Sequence, residues 1–182
     1  MFNRRLLAGA VTLAAAASVA VPAVANACDG ADLLPSDANV ADARGATLCL
    51  LNQERTSRGL RPLRADGRLT GEAQAYSRLM VDADFFDHVS PGGSTLVSRV
   101  KRTSYLDSAN GWMLGENIAW GGGSRATPRQ TVDAWMHSPP HKRNILTGRF
   151  TEIGIGIAPG APAALPRGMA SATYTTDFGN RG

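Results

Sequence analysis

The chain has 182 residues, with 19 basic against 15 acidic side chains and a formal charge of +4. Seventeen of the basic residues are arginine, scattered without a long basic run or a nucleic-acid-binding motif, which excludes a nucleic-acid partner. The length suits one domain around one core, and Cys28 and Cys49 are the two cysteines.

In chain order, residues 1–27 read as a secretory signal peptide. MFNRR is a charged start, LLAGAVTLAAAASVAV an apolar run, and Ala25-Asn26-Ala27 a small-residue cleavage site. Cleavage after Ala27 removes Arg4 and Arg5 and leaves 17 basic and 15 acidic residues, a charge of +2. Two alternatives stand beside this reading. One is an uncleaved membrane anchor, although the run is short and alanine-rich for a span. The other is a lipoprotein anchored on Cys28, although Ala25 stands where a lipobox carries a larger apolar residue. No second apolar run of spanning length follows, so the mature chain is expected to lack a transmembrane segment and to be secreted and extracellular. In that oxidising route Cys28 and Cys49 are expected to form one disulfide. The lipoprotein alternative leaves Cys49 free and buried.

Residues 28–43 form a polar leader, and the domain is placed at 44–182. ATLCLLNQERTSRG has helical spacing at Leu48, Leu50 and Leu51, and Gly59 closes it. GLRPLRAD is a turn with Leu60 and Leu63 as anchors. RLTGEAQAYSRLMVDADFF reads as a second helix with a stripe of Leu69, Ala73, Tyr76, Met80 and Val81. STLVSRVKR is a short third helix opened by Ser94 or Thr95. GENIAWGGG is a short extended segment, with Trp112 before it in an irregular stretch. TPRQTVDAWMHS is a fourth helix, with Thr127 as cap and Pro128 in its first turn. FTEIGIGIAPG and MASATYTTDFG alternate in the manner of antiparallel strands. Helices first and strands late predict an α+β domain with helices covering a small sheet. Trp120, Trp135 and Phe150 are assigned to the core, and Trp112 to the rim of a site.

HSPPHKRNIL places His137 and His141 four residues apart, the spacing of a zinc-binding helix. Pro139 and Pro140 lie between them. A proline lacks the amide hydrogen and disfavours helical geometry in the residue before it, so one helix cannot carry both histidines. A new helix can start at the prolines. His141 must therefore find its partners elsewhere in the chain, and His88 and Glu116 are the candidates.

LLNQERTSRGLRPL, FFDHVSP, LGENIAWG, VDAWMHSPPHKRNILTGRFTEIGIGI and TYTTDFG resemble, in this order, the motifs of the CAP superfamily. That superfamily contains cysteine-rich secretory proteins, antigen 5 and pathogenesis-related proteins, and the match is closest to its bacterial SCP-like extracellular branch. The resemblance covers about residues 44 to 180. It implies a three-layer α-β-α sandwich with a small, mainly antiparallel sheet. It also implies a central cleft lined by two histidines and two acids. His88, Glu116 and His141 match three of the four positions. The fourth, three residues after the helical Trp135, is Ser138 here, so the tetrad is incomplete. Glu152 is a further acid that this cleft could use.

Two imidazoles and a carboxylate can hold zinc with an open position for water, and the resemblance implies such a site at His88, His141 and Glu116. The same residues can instead form a metal-free polar cluster. Ser90 and Ser138 lie near the histidines in sequence, but no G-x-S-x-G elbow accompanies them. Asn117 and Asn144 are expected to fix backbone turns around the cleft. Two function classes follow. The first is a secreted, non-enzymatic protein that binds a small apolar or lipid-like ligand or a cell-envelope component, as the resemblance implies. The second is a secreted metal-dependent hydrolase of peptide or ester bonds.

Overall fold

The run Ile153-Gly154-Ile155-Gly156-Ile157 gives one strand two unlike faces, because successive side chains point to opposite sides. In the computed structural model, which describes Met1 and residues 28–182, this run lies in an inner strand of a four-stranded sheet. The elements in order are α1 (Val40–Thr56), β1 (Arg64–Ala65), α2 (Gly67–Asp82), α3 (Leu96–Val100), β2 (Trp112–Gly122), α4 (Pro128–His137), α5 (Pro139–Ile145), β3 (Glu152–Pro159) and β4 (Ser171–Arg181). The sheet order is β1-β3-β4-β2. β1 pairs parallel to β3, and the other two pairings are antiparallel.

The isoleucines bury against α1, α4 and α5, in a core with Leu50, Leu51, Trp135, Ile145 and Phe150. The glycines face α2 and let its backbone come close. A Cβ on Gly154 would sit 2.1 Å from the Leu69 carbonyl carbon, and one on Gly156 would sit 2.1 Å from the Ala73 carbonyl oxygen. The result is the expected three-layer α-β-α sandwich, with α2 and α3 on one face of the sheet.

Local chemistry sets the helix starts. The Asp66 carboxylate accepts from the Arg68 and Leu69 amides at the start of α2, and Thr127 does the same for Gln130 before Pro128 in α4. Ser138 is at once the first residue after α4 and the cap position of α5. The proline pair therefore breaks the helix as the sequence requires, and His137 and His141 belong to different helices.

Among the departures from the sequence reading, three concern α1, β2 and Trp120. α1 starts at Val40, inside the segment read as leader, because Val40 and the fully buried Ala43 extend its apolar face. β2 starts at Trp112, which was read as irregular. Its pairing comes from β4, residue for residue from Trp112↔Arg181 to Gly122↔Ser171, so no alternation of its own is needed. Trp120 is not core: it is 37 % exposed, one step along the face beyond Ile118, which packs on Tyr76 and Met80. Apart from Met1, the residues assigned to the signal peptide lie outside the described part of the chain. Cys28 and Cys49 are joined, tying the segment before α1 to the middle of that helix over a separation of 21 residues. Closing a loop of that size contributes about 3 kcal/mol by chain entropy. No helix among the described residues is long and apolar enough to cross a membrane.

Gly156→Ala should cost about 3 kcal/mol in urea unfolding, because α2 must lift from the sheet to admit the methyl group. Gly71→Ala, on the open side of α2 with nothing within 4 Å of the added carbon, should be neutral or stabilise by up to about 1 kcal/mol. Equal effects at the two positions would contradict this packing.

Candidate functional site

β2 is an edge strand, and its alternation aims neighbouring side chains into opposite layers. Glu116 points toward α2 and α3, and Asn117 toward α5. The Asn117 side-chain amide donates to the His141 carbonyl at 3.1 Å. The Asn144 amide donates to the Glu116 carbonyl at 3.0 Å and to Asn117 Oδ1 at 2.8 Å. These bonds strap α5 onto the strand, so His141 is placed relative to Glu116. The two asparagines therefore join elements across the site rather than fixing turns.

His88 lies in the loop between α2 and α3. Its Nδ1 meets Glu116 Oε1 at 2.7 Å. The other Glu116 oxygen accepts from Arg99 Nη2. Arg99 is only 4 % exposed and holds the region together. Its Nε donates to Glu72 at 2.6 Å, and its Nη1 donates to the carbonyls of His88 and Ser94, each at 3.1 Å. Its guanidinium carbon lies 3.4 Å from the centre of the Tyr76 ring, a desolvated cation–π contact. The Tyr76 hydroxyl donates to the Asp87 carbonyl at 2.7 Å, beside His88, and burial pushes its pKa up to about 12. The loop that carries His88 is thus held from below by Arg99 and Tyr76.

The two histidines have opposite proton preferences. The hydrogen bond that His88 donates to Glu116 raises it above the ordinary imidazole value, against burial, which lowers it. Burial lowers His141, and the charge of His88 lowers it further. His141 Nδ1 is bonded to Ser138 Oγ at 2.8 Å, a bond from the cap position to the third helical residue. With Nδ1 of each ring engaged, Nε2 is the remaining ring nitrogen of each. His88 contributes stability that is complete below about pH 6.5 and is lost as pH rises through its raised value. His141 contributes stability that is present above about pH 6.5 and is lost as pH falls through its lowered value.

Other sequence candidates go elsewhere. His137 is exposed on α4, with Nδ1 at 2.8 Å from the Asp133 carbonyl. Glu152 accepts from the Tyr105 hydroxyl at 2.7 Å and lies 3.5 Å from Arg181 Nε, on a strand separated from β2 by β4; it does not join the cleft. Ser90 accepts from the Ser94 amide at 3.0 Å and shapes the loop. Trp112 is exposed at the start of β2. A groove of about 530 Å³ between α2 and α3 is lined by Glu72, Tyr76 and Arg99 but by neither histidine.

The three-residue zinc site implied by the family resemblance does not fit this arrangement. Each Glu116 oxygen already accepts a hydrogen bond, one of them from a guanidinium that repels a dication. Among the described residues no three His, Cys, Asp or Glu side chains form a group that could hold a metal ion. Sequence reasoning missed Arg99, Glu72 and Asp177. Glu72 carried a signal: it lies three residues after Leu69 and four before Tyr76, on the buried face of α2.

The fold and site can be set against known proteins. A model of the cysteine-rich secretory protein family, CAP, matches residues 48–164. A Bacillus subtilis (strain 168) protein named uncharacterized protein YkwD is 41 % identical over 109 residues, which is 59 % of this chain and 39 % of that protein. An extracellular protein containing a SCP domain from Bacillus anthracis str. Ames superposes with a TM-score of 0.58 at 26 % identity, covering 78 % of this chain and 40 % of that one. An outer surface protein from Borrelia burgdorferi shares the fold, with a TM-score of 0.58 at 22 % identity, over 72 % of this chain and 87 % of its own. The chain thus spans about two fifths of the first two relatives.

Arg99→Met should cost about 3–5 kcal/mol in chemical denaturation, because it leaves two buried carboxylates without their cation. The same change at exposed Arg102 should stay within about 0.5 kcal/mol. A mild effect at Arg99 would contradict the role of its ion pairs.

Proposed function

The chain belongs to the CAP, or cysteine-rich secretory protein, family, and from that premise we propose that it is an exported, non-enzymatic binding protein. Its ligand is a small molecule of the cell envelope with a polar or anionic head and an apolar body, and its site is the pair His88 and His141 at the edge of β2. The extracellular and outer-surface descriptions of its structural relatives support export.

The observation that carries the reading is the pair of fixed imidazoles with unlike proton affinity. His88, with its side chain 54 % exposed, is the donor. His141, with its lowered affinity for a proton, is the neutral partner. Phe86 and Val89 flank His88 and are both exposed, which suits an apolar body beside a polar head. The hydrolase reading is less well supported. It needs Glu116 as metal ligand or base, and Arg99 and His88 already occupy its two oxygens.

Calorimetric titration with dodecanoate, kept below its micellar concentration, tests the reading. Binding should be tighter at pH 6 than at pH 8, and His88→Ala should weaken it about tenfold, the loss of a charge-assisted contact. The circular dichroism of the variant should be unchanged. Binding that ignores both pH and the substitution, or no binding by folded protein, would overturn the proposal.

A further inference from the structure

β4 lies between β3 and β2 in the middle layer of the sandwich, and its residues from Ala172 to Gly179 are buried whichever face they point to. Asp177 sits there with no exposed surface, and neither of its carboxyl oxygens has a donor among the described residues. Each packed element brings a known group toward it. β2 brings Glu116, its register partner, and β3 brings Gly154, which has no side chain. α2 brings Glu72, whose Oε2 is buried and also lacks a donor. α3 brings Arg99, whose Nε and Nη2 serve Glu72 and Glu116 while its Nη1 serves the carbonyls of His88 and Ser94. Three buried carboxyl groups thus share one guanidinium. Three such charges against one are not held together out of water. Two of the carboxyls are paired with Arg99, and the third faces only a carboxylate with a free lone pair.

We propose that Asp177 is a positioning residue of the cleft: it stays a neutral carboxylic acid and donates its hydrogen to Glu72 Oε2, which keeps Arg99 centred between Glu72 and Glu116. The inference rests on the reading of His88 as the ligand-facing group. With Asp177 neutral, Glu72, Arg99 and Glu116 carry one net negative charge, and protonated His88 balances it. An ionised Asp177 would add a second negative charge and draw Arg99 away from Glu116, loosening the support of His88. Burial first, and then the facing Glu72 carboxyl, push Asp177 well above the usual carboxylate range, in line with this assignment.

Infrared spectroscopy of the ligand-free protein at pH 7 tests it. Wild type should show a protonated-carboxyl C=O band that shifts on ¹³C labelling of aspartate and is missing in Asp177→Asn. The label locates the band in wild type even where the variant folds poorly. Thermal unfolding supplies a second test. A folded-state pKa above the unfolded value of about 3.9 means that the native chain holds the extra proton between those values, so wild-type stability falls as pH rises through that window. Asp177→Asn keeps a donor and has no such loss, so its melting temperature relative to wild type should climb from pH 4 to pH 8. The absence of the band, or a difference that falls with rising pH, would overturn the assignment. No ligand is present in either test, so a cleft that binds nothing leaves both readouts standing.

Discussion

One buried guanidinium organises this protein's candidate site. Arg99 comes from a helix of five residues, too short to hold itself in place, and is fixed instead by what it binds. It reaches Glu72 on α2, Glu116 on β2 and two carbonyls of the loop carrying His88. It also covers the Tyr76 ring. Placing so many charges out of water needs matched donors and acceptors, and here Nε and both Nη atoms donate. The position of His88 follows from this arrangement more than from its own loop.

The second constraint is the glycine face of β3. With Gly154 and Gly156 toward α2, helix and sheet approach at backbone distance. That approach brings Glu72 into reach of Arg99. On the opposite face the isoleucines, Trp135 and Phe150 make an ordinary apolar core. The asparagine bonds from α5 then carry His141 to the same edge of β2. The two layers thus contribute one histidine each, across β2, an edge strand whose Glu116 and Ile118 carbonyls accept from the Asn144 and Trp135 side chains.

The legible and illegible parts of this design separate on physical grounds. The break at Pro139-Pro140 could be read locally, since it depends on two residues and their missing amides. The strands at Ile153–Ile157 and Thr173–Phe178 were legible from alternation. His88, Glu116 and His141 were legible only through the order of motifs shared with the CAP family, since nothing in their spacing brings them together. Arg99 was not legible: it is one of 17 arginines, and its meaning lies in partners 5 to 27 residues away. Asp177 hid in a strand that pattern alone marks as half polar, and its burial on both faces depends on the sheet order. Trp120 was misread because aromatic residues in strands are commonly core, whereas this one stands beyond the end of its cover.

The most direct measurement is the NMR titration of the histidine ring protons in wild type and in Glu116→Gln. The account predicts that His88 titrates above the ordinary value of about 6.5 and His141 below it. In the variant, where Arg99 keeps Glu72, the His88 value should fall to the ordinary range or lower while the fold remains. A wild-type His88 that titrates at the ordinary value and does not respond to Glu116→Gln would contradict the account at its centre.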